Sequence, residues 1–371
     1  MLFVYNGYVY DDDFVKKLNR NCEKVQAHHF NEYLANARYG GISPLEQLNI
    51  IRKELNDFQK VDNEKTINFS QEQLLQIVKD FYESLNTQLS QQVNSILNRE
   101  NPNPNYKVEI ITDRKDPCFG ISHVGHSNLN THLDVNISLD GSVEGLRVAA
   151  HELSHAISFH HTKKIEIAQQ NDQKKLMDFL HYLGEYSRDC INEIESHIIE
   201  YLFMEFLVDR GIISNDDFKN FEAIRHNSLL NNIDLIREEY QILKNVSCPI
   251  TVESFQNFVK KINTPLIKTN RYKSLMNRSK LMAERKPEDN TQNHYSQYRY
   301  RYVIGEIVST LWYENYSQSS KDKKQEMIDK FVEYLSITDT LSLETACNYL
   351  LGLKIGDTFE CFISHIQAKT V

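Results

Sequence analysis

The chain lacks long apolar runs and has few residues that interrupt helices. Nowhere do eighteen apolar residues follow one another, so the sequence predicts no membrane-spanning helix. The first residues, MLFVYNGYVYDDD, contain neither a basic n-region nor a long apolar stretch. We therefore expect no standard signal peptide and a cytoplasmic location, although a specialised effector-type secretion route would leave no recognisable trace. With only seven prolines and twelve glycines, long stretches are free to be helical.

Cysteine and positive charge are also scarce. The six cysteines are scattered and form no CxxC pair, which argues against a disulfide framework and agrees with a reducing compartment. The formal net charge of −9 argues against a general nucleic-acid-binding protein, because affinity for phosphates depends on a basic surface.

The most informative feature that is present is the sequence HELSH at residues 151–155. Two histidines four residues apart on an α-helix lie about 40° apart around its axis, so His151 and His155 can direct ring nitrogens at one metal ion. Glu152, next to the first histidine, can accept the proton of a metal-activated water. The pattern is typical of zinc hydrolases, but three specified residues in five also occur by chance.

The residues around HELSH argue against two histidines on an ordinary surface helix. The apolar residues share one side of the helical wheel: Leu146, Ala149, Ala150, Leu153, Ala156 and Ile157. The histidines fall on the opposite side. The pattern therefore predicts a helix that is anchored by a buried stripe and points its histidines into a polar site.

The spacing of apolar residues predicts a mainly α protein. Helices are expected over Phe14–Phe30, Pro44–Phe58 and Gln71–Leu97, which together would form an N-terminal helical segment. The prolines of the following NPNPN cannot continue a helix, since each lacks a backbone N–H. We place the domain boundary there, with residues 1–105 as the N-terminal segment and residues 106–371 as the catalytic domain.

Strand signals follow the boundary, at Lys107–Thr112, Cys118–Val124 and His132–Leu139. The turn at Asp140–Gly141 then leads into the HELSH helix. We expect a zincin-like domain in which a small antiparallel β-sheet lies beside this helix, with an edge that can hold an extended peptide. From about Leu176 the pattern is helical to the end of the chain.

A catalytic zinc ion needs a third protein ligand, and two candidates compete. His161 occupies the position of the last histidine in the metzincin pattern HExxHxxGxxH, but Ser158 stands where that pattern has the glycine that breaks the helix. If the helix continues, His161 lies about 240° around the axis from His155 and faces away from the metal.

The second candidate lies in DCINEIESHIIEYL, residues 189–202. One face of this predicted helix carries the polar groups Asp189, Glu193, Ser196, His197 and Glu200. Charges on helices are usually solvated. Beside HELSH, however, Glu193 becomes the better third ligand, and Asp189, His197 and Glu200 become candidates for orienting the other ligands.

Three blocks of the sequence resemble the motifs of one known protein family and occur in the same order as in that family. HELSHA is similar to HExGHA, the segment E-I-E-S-H-I-I-E at 193–200 to E-I-x-S-x-x-x-E, and HYSQYRYRYVIG at 294–305 to a histidine followed by YxYxYxxG. These are motifs of the oligoendopeptidase F and thimet oligopeptidase group of zinc metallopeptidases, which are gluzincins. The resemblance spans roughly residues 120–315.

The resemblance implies one Zn²⁺ ion per chain, held by His151, His155 and Glu193. It also implies that Glu152 is the general base. Two features differ from the family pattern. Ser154 stands where the family has glycine, and position 193 follows position 155 by 38 residues, because HHTKKIEIAQQNDQKK looks inserted.

For the third block, the resemblance implies that His294, Tyr298 and Tyr302 hold substrate and stabilise the oxyanion. The two tyrosines are four residues apart and would share a helix face. A tyrosine stripe standing alone would instead favour core packing.

The sequence therefore predicts a zinc-dependent endopeptidase that hydrolyses internal peptide bonds of a peptide or protein, with no nucleic-acid partner. Family members have a larger N-terminal half, so the roughly 105 residues here predict a more open cleft. The alternatives are a metzincin-type peptidase with His161 as third ligand, or a zinc-stabilised binding protein without turnover. The intact Glu152 favours an enzyme, because a binding protein has no need of a general base.

Overall fold

The computed structural model describes residues 3–5, 8–10, 33–37, 41–55, 59–62, 66–67, 69–98, 106–112, 122–127, 130–168, 174–245, 295–338 and 341–370. The helices in these ranges are α1 (Pro44–Glu54), α2 (Gln71–Leu85), α3 (Thr87–Ile96), α4 (Val143–Ala168), α5 (Lys174–Asp209), α6 (Asn215–Asn245), α7 (Tyr295–Ser317), α8 (Lys321–Ile337), α9 (Leu343–Leu351) and α10 (Ile355–Thr370). The strands are β1 (Phe3–Tyr5), β2 (Tyr8–Tyr10), β3 (Tyr106–Ile111), β4 (Ser122–Ser127) and β5 (Asn130–Ser138).

These elements belong to two compact units. The first unit comprises Met1–Asn56, Leu229–Val303 and Ile363–Val371, and the second comprises Asp57–Ser228 and Ile304–Phe362. Helices α2 and α3 therefore fall in the same unit as the β3–β5 sheet and the HELSH helix. The proposed boundary at residue 105 stays a prediction about domain organisation.

The first unit begins with a short antiparallel hairpin of β1 and β2. The sequence interpretation assigned only helices to this part of the chain, and the predicted helix Phe14–Phe30 lies outside the described residues. Helix α1 starts at a capping box, in which the Ser43 side chain accepts from the Glu46 N–H and the Glu46 carboxylate accepts from the Ser43 N–H. Its Arg52 pairs with Asp234 of α6 at 2.8 Å.

In the second unit, the single helix expected over Gln71–Leu97 is broken into α2 and α3. Asn86 has φ −166° and ψ 138°, which is an extended conformation. Its side chain accepts from the N–H of Gln88 at 2.7 Å and caps α3, while its own N–H donates to the carbonyl of Tyr82. An asparagine side chain competes for backbone hydrogen bonds in this way, and the apolar spacing alone did not reveal the break.

The sheet has the strand order β3-β5-β4. Strand β4 pairs antiparallel with β5, as expected, but β3 pairs parallel with β5, so the prediction of an antiparallel sheet is wrong for that pair. The alternating pattern identified the strands but does not encode their relative direction. Only two residues separate β4 from β5, which forces an antiparallel hairpin, whereas the chain crosses over between β3 and β4.

Helix α4 carries HELSH and is fixed at its start and along its length. Ser142 caps it by accepting from the N–H of Gly145 at 2.8 Å, after a turn in which Gly141 has φ 82°. Helix α4 packs against β5 and α5. The predicted apolar stripe is confirmed, because its six residues are at most 1% exposed. Burial of this stripe anchors the helix and so fixes where its histidines point.

Two tyrosine hydroxyls also secure α4. Tyr82 of α2 donates to the carbonyl of Ala150 at 2.7 Å, and Tyr106 of β3 donates to the carbonyl of Ala156 at 3.2 Å. Within the residues described here, no helix is both long enough and apolar enough to cross a lipid bilayer.

Candidate metal centre

The HELSH histidines meet Glu193 of α5 in the second unit. The Nε2 atoms of His151 and His155 lie 3.1 Å apart, and His151 Nε2 lies 3.7 Å from Glu193 Oε2. Potential ligand atoms of these three residues all lie within 4.8 Å of one another. Glu193 is 3% exposed, so its carboxylate is almost fully removed from water.

This donor set fits a zinc ion. Tetrahedral ligands about 2.0–2.1 Å from zinc lie roughly 3.3 Å from one another, close to the two distances between these groups. Two imidazoles and one carboxylate also form a common catalytic zinc set, which leaves a fourth position for water or substrate. A cation would further stabilise a buried carboxylate beside two converging ring nitrogens.

The outer nitrogen of His151 is held by Glu200, one of the residues that the sequence proposed as an orienting partner. Nδ1 of His151 lies 2.6 Å from Oε1 of Glu200. Arg147 and Arg225 both form ion pairs with this buried carboxylate. Burial alone would raise the pKa of Glu200, but the two guanidinium groups outweigh it and hold the pKa well below its usual range.

The ionised Glu200 determines which nitrogen of His151 is free. A carboxylate without a proton can only accept, so Nδ1 carries the proton and Nε2 keeps its lone pair. Burial lowers the pKa of His151, but the hydrogen bond and the charge of Glu200 raise it by more, so the pKa lies above its usual value. A more basic imidazole is a stronger metal ligand.

A second group of possible ligands shares His151 and adds His197 and Glu200, whose ligand atoms also lie within 4.8 Å of one another. The Glu200 carboxylate already neutralises two arginines, so it is poorly available to a metal. His197 lies 3.9 Å from Glu193 Oε2 through Nε2, and 3.6 Å from Glu306 Oε2 through Nδ1. We therefore favour the group containing Glu193.

The surroundings of His197 disfavour its protonated form. Burial, followed by the positive charge of Arg225, lowers its pKa well below the usual value. Arg225 also pairs with Glu306 and lies over the rings of Tyr201 and Phe221, at 5.3 and 5.7 Å from their centroids. The polar neighbours of Glu193 therefore form a paired, buried network.

Sequence reasoning missed three members of this network. Arg147 of α4, Arg225 of α6 and Glu306 of α7 are all buried or nearly so. Glu306 directly follows the glycine of YxYxYxxG, and Arg147 lies one turn before His151. These positions gave only weak evidence that Glu306 and Arg147 belong to the site, and Arg225 belongs to no motif.

Glu152 and Ser154 are buried within HELSH itself, at 4% and 0% exposure. The Ser154 hydroxyl donates to the carbonyl of His151 at 2.6 Å. A serine in the family's glycine position is therefore satisfied by its own helix and leaves the backbone of the motif helical.

Gly305 of α7 lies close to α5 at the site. A Cβ atom there would lie 2.9 Å from Nδ1 of His197 and 3.0 Å from the carbonyl oxygen of Glu193. The glycine of the third sequence block thus permits a close helix approach behind the proposed third ligand.

The other predicted residues are only partly described. His294 lies outside the described residues, as do the side chains of Tyr298, His161 and Asp189. Tyr302 is half-buried in the first unit and accepts from Arg301 Nη2 at 3.1 Å. Helix α4 continues unbroken through position 161 to Ala168, which is the condition under which His161 is expected to face away from the metal.

Comparison with known proteins supports the fold. No family model matches the chain, and no curated protein matches its sequence. The fold is similar to the crystal structure of a protein from Bacillus anthracis str. Ames that is provisionally described as an oligoendopeptidase F, with a TM-score of 0.51 and 13% identity. The match covers 96% of this chain and 58% of the other, so the chain spans little more than half of that protein's length. The chain thus has a mainly α fold similar to that of this protein, and it has His/Glu groups whose ligand atoms are close enough together to hold a metal ion.

Proposed function

We propose that the protein is a zinc-dependent endopeptidase that hydrolyses internal peptide bonds. The observation that carries this proposal is the convergence of His151, His155 and Glu193 beside the buried Glu152. The fold similarity to a protein described as an oligoendopeptidase F agrees with it. His151 and His155 would hold the ion through Nε2, and Glu193 through a carboxylate oxygen.

When bound, Zn²⁺ supplies a Lewis acid that polarises a carbonyl and lowers the pKa of water towards neutrality. Glu152 accepts a proton from the attacking water at a carboxylate oxygen as the new C–O bond forms. It then delivers that proton to the amine nitrogen as the C–N bond breaks. Proton transfer of this kind contributes about 10²–10⁴-fold to a rate.

Glu200 and its two arginines keep His151 oriented during the reaction, because the Nδ1–H group of His151 stays hydrogen-bonded to the ionised carboxylate of Glu200. We further propose that His294, Tyr298 and Tyr302 bind substrate and donate hydrogen bonds to the oxyanion. Removing one such donor typically costs about 10²–10³-fold in rate.

The test compares peptides released from a cell lysate by the wild-type protein and by the Glu152→Gln variant, with zinc content measured by elemental analysis. We expect about one zinc per wild-type chain and new internal cleavages that the variant does not produce. A zinc-loaded wild type that cleaves nothing would favour a binding protein, and a metal-free wild type would reject the site.

A second comparison addresses the substrate. A folded protein and a panel of short quenched peptides are each incubated with the wild type and with Glu152→Gln. Cleavage of the folded protein by the wild type alone would extend the proposal to protein substrates, whereas cleavage of short peptides only would restrict it to peptides without affecting the assignment of the metal site.

A further inference from the structure

We infer that Glu195 is the positioning residue of His155, so that each of the two histidines is held by its own carboxylate from α5. This inference rests on the proposed metal site. Glu195 Oε1 lies 3.7 Å from Nδ1 of His155, and the Glu195 side chain is 0% exposed. The arrangement is similar to that at His151, where Nδ1 also faces a carboxylate of α5, but the separation is 3.7 Å instead of 2.6 Å.

The directions of the two rings match. In both histidines Nε2 faces the other ring, and Nδ1 faces a carboxylate of α5. An Nδ1–H that points at a carboxylate leaves the lone pair on Nε2, which is the atom required for the metal. Two histidines four residues apart can therefore present the same nitrogen to one ion because α5 supplies two acceptors five residues apart.

Two tyrosines near Glu195 direct their hydroxyl protons elsewhere. The charge of Glu195 adds to burial in raising the pKa of two nearby phenols, Tyr82 and Tyr334. Each hydroxyl has one proton, and both are directed at backbone carbonyls, those of Ala150 and Ile191. Neither tyrosine hydroxyl therefore competes with His155 for Glu195.

The place of Glu195 in the sequence supports a specific role. It lies about 200° around the helix from Glu193 and shares the apolar side with Ile191 and Ile198, which are 1% and 0% exposed. A carboxylate in such a stripe is costly unless a polar group satisfies it. Within E-I-E-S-H-I-I-E it occupies a position that the family motif leaves unspecified, so the resemblance does not assign it.

The test uses two variants that remove different properties. Glu195→Gln keeps a hydrogen-bond acceptor of the same shape and removes the charge, whereas Glu195→Leu removes the acceptor. Glu205→Gln is the matched control, because Glu205 lies on the same helix and pairs with Lys324 at 3.1 Å in a partly exposed ion pair.

Two readouts separate positioning from general stability. Competition with a chromophoric chelator gives the Zn²⁺ dissociation constant, and ¹⁵N-histidine NMR shows which ring nitrogen of His155 carries the proton. We expect Glu195→Leu to bind zinc about 10–100-fold more weakly and to lose the His155 Nδ1–H signal. Glu195→Gln should keep the signal and lose less affinity, and the control should match the wild type.

Several outcomes would overturn the inference. If Glu195→Leu does not fold, Glu195→Gln decides, since zinc affinity equal to that of the wild type would then contradict a role for the charge. A wild-type His155 with its proton on Nε2 would contradict it directly, even in metal-free protein. If the wild type binds zinc and both variants bind it equally well, the inference fails while the metal site stands, whereas a wild type that binds no zinc removes both.

Discussion

His151 and Glu200, 49 residues apart in sequence, meet through a 2.6 Å hydrogen bond between Nδ1 and Oε1. The carboxylate is also paired with Arg147 and Arg225, so the charge that orients the histidine is itself fixed by two guanidinium groups. The Glu200 carboxylate is thereby kept ionised inside the protein. The proposed ligand His151 is therefore linked through Glu200 to both arginines.

The Glu200→Gln variant tests the role of Glu200 without changing any of the three proposed metal ligands. The amide leaves two buried guanidinium groups without their shared counter-charge, so we expect a loss of about 3–5 kcal/mol in the free energy of unfolding. Zinc affinity should fall about 10–100-fold, because His151 loses its ionised partner. Urea denaturation and chelator competition measure the two effects, with Glu205→Gln as control. Unchanged affinity would show that Glu200 does not act through His151.

Glu152→Gln should leave zinc content unchanged and reduce peptide hydrolysis by about 10²–10⁴-fold, because the amide cannot accept the proton. Elemental analysis and a quenched-peptide assay on the same preparation give both values. Activity within a few-fold of the wild type would remove Glu152 as the base.

Glu193→Ala should lower zinc occupancy after dialysis against a weak chelator, since it removes the anionic member of the ligand set. Ser309→Ala, a buried substitution on α7, serves as the control. Full occupancy in Glu193→Ala would instead move the third ligand to His161 or Glu200.

Gly305→Ala should disturb the site from behind, because the new methyl group would press on His197 and on the backbone of Glu193. Overpacking of this kind costs about 1–3 kcal/mol, and we expect weaker zinc binding as well. Gly211→Ala is the matched control, since Gly211 has φ 67° and nothing within 4 Å of an added Cβ. The control should lose stability through backbone strain but keep its zinc affinity. Equal zinc affinity in the two variants would contradict the close approach at Gly305.

Cys347 should resist alkylation in the folded protein. Burial raises the pKa of its thiol to about 12, so at pH 8 the reactive thiolate is on the order of 10⁻⁴ of the population. The exposed Cys361 should be modified under the same conditions. Mass spectrometry after brief iodoacetamide treatment, with an unfolded sample as control, distinguishes the two. Rapid labelling of Cys347 would show that its surroundings open to water.

Much of the local structure could be predicted from the sequence. The apolar stripe around Leu153 identified helix α4 and its buried face, and strands β3, β4 and β5 and helix α1 lie within a few residues of their expected positions. The break at Asn86 was missed, because apolar periodicity does not detect an asparagine that ends one helix and caps the next. The β1–β2 hairpin was also missed.

The sequence by itself determined that His151, Glu152 and His155 lie on one helix and that Glu193 and Glu200 share a face of another. Only the tertiary structure decided which charges meet. Arg225 and Glu306 come from other helices, and Glu195 lies on the opposite side of its helix from Glu193, yet all are buried in or beside the site. The physical reason is that helical spacing fixes angles within one element, whereas the pairing of buried charges depends on how several elements pack together.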